Sequence, residues 1–237
     1  MKGGISEKIR VAGGEIYAVS SEPQTLAGRA KDEWQLNFET IGDPHHDIAG
    51  TCRERGWLDL FANERLEFLQ RSTSHEVDWK VTHPKGYFQP GVLALGRDGR
   101  VLYRWRSVPS RSNVGGAVER ATAEHVWSAV AAALASGAPD APLDTDPPLG
   151  SRGAPWPVFV ALLLANGWFL RPRGFRATSL VTAAAVRLLA FITVWIAAFV
   201  WLPTLPVALC LAVWIAFITP RVRWVNQEFQ DASGEAT

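Results

Sequence analysis

A chain of 237 residues is long enough for one medium-sized domain and an appendage, and its formal charge of +1 argues against a nucleic-acid partner. Two cysteines, Cys52 and Cys210, lie far apart in the chain and exclude a disulfide framework or a CxxC metal site. The near-neutral average conceals a division: residues 1–150 hold 17 Lys+Arg and 20 Asp+Glu, whereas residues 155–219 hold four Arg and no acid in a strongly apolar background. The first composition is that of a soluble domain and the second that of a membrane segment.

In chain order, residues 4–12 predict a short helix stopped by Gly13-Gly14, and residues 15–20 (EIYAVS) a buried strand. Residues 26–34 predict a helix, with Leu26, Ala30 and Trp34 on one face. Residues 38–41 form a second short strand. Asp43-Pro44 marks a turn, Asp43 is placed to cap a helix over about residues 46–55, and Gly56 is placed for its C-cap. The run after Gly56 has helical periodicity through Leu58, Phe61, Leu66 and Leu69, and residues 73–88 look like a loop insertion. In QPGVLALGRDGRVLYRWR, residues 89–106, two strand-like runs flank Asp98-Gly99, a hairpin signal because glycine reaches positive φ without a Cβ clash. Residues 92–95 are apolar throughout, as in a strand covered on both faces, and residues 101–105 begin to alternate, as nearer a sheet edge. A loop over residues 106–116 leads to a closing helix over 117–135. Residues 136–155, with five prolines, read as a linker. The resulting order is α-β-α-β-α-(insert)-β-β-α. Its first two strands are parallel neighbours by the right-handed crossover rule.

Three blocks, EIYAVSSEP, NFETIGDPHHDIAGTCRERG and QPGVLALGRDGRVLYRW, resemble the peroxiredoxin-like (alkyl hydroperoxide reductase / thiol-specific antioxidant) family of the thioredoxin fold. The resemblance covers about residues 4–135, and Gln89, Pro90 and Asp98-Gly99 match its hairpin element. It implies a partial thioredoxin-like α/β sandwich, a parallel pair plus an antiparallel hairpin with flanking helices. It also implies thiol-dependent peroxide reduction with a thiol reductant as partner. In the family a strand and a helix precede the first block, and the nucleophilic cysteine sits at the start of that helix, where the dipole and free N–H groups stabilise a thiolate. No Thr-x-x-Cys motif occurs here, and Gln89 stands where an arginine is common. The expectation is a domain over residues 1–135 that lacks the reactive first part.

Cys52 is the one candidate redox thiol, with Arg53 and Arg55 near enough to favour a thiolate; against it stands a half-buried helical cysteine without a resolving partner. Asp43, His45, His46 and Asp47 are adjacent in DPHHD, and adjacent side chains do not converge on one ion without further ligands. His125 reads as a packing histidine. Arg104, Arg106 and Arg111, with Asn113 and Gly115-Gly116, form a basic loop region that can hold an anion or be a plain polar loop. Neither a Walker-type phosphate loop nor a Rossmann glycine fingerprint occurs, so no cofactor and no metal is expected.

Residues 156–224 predict the membrane segment: a short interfacial helix over 156–170, then an all-α hairpin of 177–202 and 207–219 turning at Leu202–Pro206. Arginines at both hairpin ends put those ends in the cytoplasm, with Arg187 snorkelling to the inner interface. An extracytoplasmic domain with three spans is the competing arrangement. Residues 225–237 are a polar tail. The expected protein is thus integral to the lipid bilayer with a cytoplasmic soluble domain. The alternative to a redox protein is a non-catalytic docking domain for a membrane-protein partner.

Overall fold

A computed structural model describes residues 4–64, 79–113, 119–151, 155–165, 181–229 and Ala232. It is a mixed structure of helices and small sheets, with two long apolar helices toward the C-terminus, and it divides into two compact units. One holds residues 1–64, 77–153 and 230–237; the other holds 65–76 and 154–229.

In the first unit, α1 (Gly4–Val11) leads through Gly13, at φ +76°, to β1 (Tyr17–Ser20). Helix α2 (Gln24–Glu33) crosses to β2 (Glu39–Gly42), which pairs with β1 in parallel, Tyr17 opposite Glu39 and Ser20 opposite Gly42. The predicted crossover is therefore present. Helix α3 (Asp47–Glu54) ends in a Schellman arrangement: the Gly56 N–H bonds Arg53 O and the Trp57 N–H bonds Cys52 O, both at 2.9 Å. Gly56 takes φ +67°, the left-handed conformation that favours glycine at this position.

That cap turns the chain, and the residues after it do not form the expected helix. Residues 57–61 carry no helix, and β3 (Ala62–Asn63) pairs antiparallel with β4 (Tyr87–Phe88). The physical reason lies at Gly91, where a Cβ would stand 2.2 Å from Leu60 Cδ2 and 3.4 Å from Leu58 Cδ2. Leu58, which looked like part of one face of a helix, instead packs with Leu60 against a strand position that has no side chain. Leu66 and Leu69 lie outside the described residues. The expected loop insertion contains a helical turn, α4 (Trp79–Thr82), and β4.

The hairpin is β5 (Gly91–Leu95) and β6 (Val101–Arg106), antiparallel, with a register shift at Ala94/Leu95. Gly99 takes φ +83°, and Asp98 Oδ1 accepts the Arg100 N–H at 3.1 Å. The burial of the two strands is the reverse of expectation. Val101, Leu102, Tyr103 and Trp105 of β6 are buried, whereas Leu95 of β5 is exposed. Two neighbours cover β6. Helix α5 (Ala123–Ser136) packs on it, and the Tyr103 and His125 rings meet edge-on at 6.0 Å. Residues 138–144, read from composition as linker, run along its outer edge. There Ala141 N–H bonds Val101 O, Asp144 N–H bonds Arg104 O, and the Asp140 carboxylate accepts the Val101 N–H at 2.8 Å. The linker continues into β8 (Leu149–Ser151), which pairs with β7 (Arg120–Ala121) where the closing helix was expected to have begun.

Among the described residues, the hydrogen-bonded ladders form four separate two-stranded sheets, β1-β2, β3-β4, β5-β6 and β7-β8. Among the described residues, the buried apolar core of this unit comprises Ala27, Leu58 and the four residues of β6.

In the second unit, α6 (Trp156–Ala165) is followed by α7 (Val181–Trp201) and α8 (Thr204–Glu228). The expected turn is shorter, and α8 continues past Thr219 through Pro220 to Glu228. Spans of 18 and 21 residues, Ala184–Trp201 and Thr204–Trp224, are long and apolar enough to cross a bilayer. Their Leu, Ile, Val and Phe side chains are largely exposed, as a lipid-facing surface would be and a soluble core would not. Phe191 meets Trp214 at 4.9 Å between the two helices, and Trp156, Phe159 and Phe229 form a cluster with centroids 5.4–5.6 Å apart.

Candidate functional site

In open α/β sheets, ligands collect beyond the carboxyl ends of parallel strands. Here β1 ends at Ser20, followed by buried Ser21, and β2 ends at Gly42, followed by buried Asp43. A Cβ on Gly42 would lie 2.4 Å from the Gln24 backbone nitrogen, so the start of α2 packs directly on this end. The Gln24 side chain fixes the contact, donating to Thr40 O and accepting the Gly42 N–H.

Asp43 is 4% exposed and turns inward. Its Oδ1 accepts the Asp47 N–H at 2.7 Å and its Oδ2 the Ala49 N–H at 3.0 Å. Both are first-turn donors of α3 without an intrahelical partner, so Asp43 caps the helix as expected, from three residues ahead of the N-cap position. That position belongs to His46, which takes φ +60°. Its Nε2 lies 3.2 Å from Gly86 O, which requires the proton on Nε2, and its ring packs on Phe88 at 4.4 Å. His45 and Asp47 are exposed. The four residues of DPHHD thus point to different places, and among the described residues no three His, Cys, Asp or Glu side chains converge as a metal site.

His83 joins this end of the unit from 61 residues beyond Glu22. It is 5% exposed, with Nδ1 2.9 Å from the Thr82 hydroxyl and Nε2 4.0 Å from the Glu22 carboxylate. Burial, and secondarily the neighbouring His46, push its pKa down to about 4. The imidazole is therefore neutral at pH 7, and its approach to Glu22 is not an ion pair there. Gln89 completes the cluster. Its backbone N–H bonds Phe61 O, its side chain is 1% exposed, and neither amide atom has a hydrogen-bond partner among the described residues.

Cys52 lies in the last turn and a half of α3, half-buried. Burial pushes its thiol pKa up and the Asp43 carboxylate adds to that, while Arg55 opposes both. The Arg55 guanidinium is also engaged over the Trp57 ring at 4.8 Å. The arginines that sequence proximity suggested as activators do not outweigh burial and Asp43, so the thiolate is disfavoured. The cluster as built offers a neutral imidazole, a buried amide and a capped carboxylate, but not an activated nucleophile.

The expected basic region separates. Arg104 and Arg106 project from one face of β6 toward residues 56–59 and border a depression of about 290 Å³; Arg111 does not line it. Asn113 is fully buried as a staple of its loop. Its Nδ2 donates to Ser107 Oγ and Val108 O, and its Oδ1 accepts the Glu119 N–H. Gly115 and Gly116 lie outside the described residues. His125 Nε2 contacts Asp144 Oδ2 at 2.7 Å, and the Tyr103 hydroxyl donates to the same oxygen at 3.0 Å. Reasoning from sequence missed His83, Glu22 and Gln89 as neighbours of the β1–β2 end. The lone His-Pro dipeptide at residues 83–84 is the only local trace, and it carries no indication of burial.

Comparison with protein-family models, with curated proteins and with solved structures finds no match.

Proposed function

We propose that the first unit is a peroxiredoxin-like domain of the thioredoxin type, tethered to a lipid bilayer by the α7–α8 hairpin, and that peroxide reduction on this scaffold does not run through Cys52. One observation carries the scaffold: a parallel pair precedes an antiparallel hairpin in the chain, and two hydrogen bonds link the residues that flank them. At one end the Phe88 N–H, just before β5, bonds the Ser21 hydroxyl at 3.2 Å; at the other Arg97, just after β5, donates to Gly13 O at 3.4 Å. Helix α5 packs on β6 of the hairpin, as a flanking helix of such a sandwich would. Peroxide reduction requires a thiolate that attacks the O–O bond and becomes a sulfenate, which a thiol reductant then restores. The environment of Cys52 works against the first step.

The tether rests on the length and exposed apolar surface of α7 and α8. Arg187 lies near the start of α7, and Arg221 and Arg223 near the end of α8. An excess of arginine at both ends of a hairpin favours the cytoplasmic side for both, and hence a cytoplasmic first unit.

Peroxide consumption with dithiothreitol, measured on the full chain and on Cys52→Ser, tests this reading. Equal, near-zero rates support it, and a rate lost on substitution refutes it. A second reading, a docking domain for a membrane-protein partner, is favoured by Tyr17 and Val19, which are 60% and 41% exposed on β1. Co-purification from detergent that is lost in Tyr17→Ser/Val19→Ser would support it; a partner-free monomer would count against it.

A further inference from the structure

We propose that the depression between β6 and residues 56–59 binds a phosphate group, either as the free anion or at the end of a small monoester. Arg104 and Arg106 are two apart on β6, so their side chains leave the same face of the strand. The opposite wall is the segment that the Schellman cap of α3 turns back, and it includes Trp57 and Asp59. Arg53, from the last turn of α3, and Leu143 complete the rim. Gly91 opposite Arg106 allows the two walls to approach. The volume of about 290 Å³ is at the small end for ligand sites, which begin at about 300 Å³.

The charges do not cancel. Three guanidiniums face one carboxylate, Asp59, which lies 4.0 Å from Arg53 and 3.6 Å from Arg106. Arg104 has no carboxylate partner among the described residues. Among the described residues, the hydrogen bonds of both guanidiniums are made through Nη1, and the Arg106 guanidinium also lies over the Phe61 ring at 4.5 Å. Arg104 Nη1 donates to Gly56 O at 2.6 Å and approaches Trp57 O at 3.3 Å, and Arg106 Nη1 donates to Asp59 O at 3.0 Å. The Nε atoms of both are buried without a hydrogen-bond partner among the described residues. The Nε–Nη2 edge of an arginine is the pair of parallel donors that grips an oxyanion, and Arg104 and Arg106, which both line the depression, are each anchored to a backbone carbonyl through Nη1. An anion placed there offsets the surplus positive charge of Arg53, Arg104 and Arg106 over Asp59. A lysine at either position would supply charge but not the fork.

The test uses the full chain in nanodiscs of phosphatidylcholine. One arm titrates inorganic phosphate at constant ionic strength against chloride and follows binding by calorimetry. The other compares discs with and without phosphatidic acid and follows the thermal midpoint. Saturable binding of free phosphate assigns the site to a soluble ligand. A midpoint raised only in phosphatidic-acid discs assigns it to a lipid headgroup. In either case Arg104→Lys is expected to weaken the response about tenfold or more, because the fork is lost. Asp59→Asn is expected to strengthen it by removing the competing carboxylate, an effect that a merely structural role for these arginines would not produce. A response that chloride reproduces, one unchanged in both variants, or none in either arm overturns the proposal.

Discussion

The Ser21 hydroxyl accepts the Phe88 backbone N–H at 3.2 Å, and this bond joins the end of the parallel pair to the strand that leads into the hairpin. The two residues are 67 apart in the chain, and the β1–β2 ladder that Ser21 follows shares no strand with the β3–β4 ladder of Phe88. Ser21 is 5% exposed, so the bond is shielded from water. Ser21→Ala leaves the Phe88 N–H without this acceptor and is expected to destabilise the first unit by about 1–3 kcal/mol. Denaturant unfolding followed by circular dichroism checks it, and an unchanged midpoint would show that the junction is not held there.

A second prediction concerns Asp144. Burial opposes its ionisation, but hydrogen bonds from His125, Tyr103 and the Asp146 N–H outweigh burial and hold its pKa below the usual carboxylate value. The folded-state pKa is depressed, so the stabilisation is present above the unfolded pKa and is lost as pH falls through the folded one. Asp144→Asn is expected to cost about 1.5–3 kcal/mol at pH 7, the range for hydrogen bonds to a charged group. Amide exchange is expected to rise at Ala141 and Asp144, whose N–H groups hold the 138–144 segment on β6. Exchange equal to wild type would contradict this.

His83 gives the third prediction. Its folded pKa of about 4 lies below its ordinary value of 6.5, so between those limits the unfolded chain binds more protons than the folded one. This contribution is complete above pH 6.5 and is lost as pH falls toward 4. The wild-type denaturation midpoint is expected to drop over that window and the slope to flatten in His83→Gln. Equal slopes would show that the imidazole is not buried and neutral.

Gly86 gives the fourth. It takes φ +89°, and a Cβ there would lie 2.4 Å from Asn63 O, a backbone atom that cannot rotate away. Gly86→Ala combines this clash with an unfavourable backbone conformation, the latter alone costing about 1–3 kcal/mol. The β3–β4 pair is expected to open, read as lost amide protection at its paired strands. Retained protection would contradict the assigned geometry.

The parts of the fold that sequence made legible are those set by neighbours in the chain. Asp98-Gly99 announced its turn, Gly56 its helix cap and Asp43 the start of α3, because each acts within a few residues. Charge counts likewise separated the apolar segment from the rest. The two-residue strands at Ala62–Asn63 and Arg120–Ala121 were not legible, because each is created by a partner more than twenty residues away. The non-helical course of residues 57–61 was hidden for the same reason: Leu58 and Phe61 have helical spacing, but Leu58 packs with Leu60 where Gly91 has no side chain. The burial of β6 was underestimated because a proline-rich segment covers its edge through backbone hydrogen bonds, which composition does not encode. At the candidate site, Cys52 and its arginines were visible in sequence. The opposing effects of burial and Asp43 were not, nor was the meeting of His83 and Gln89 with the β1–β2 end.

The most direct test of a tethered domain is membrane partition of the full chain under alkaline carbonate, which strips peripheral proteins from bilayers. A protein anchored by α7 and α8 stays with the membrane pellet, and replacing Leu189, Ile192, Ile196 and Val213 by serine shifts it to the supernatant. Release of the unaltered chain by carbonate would contradict the account.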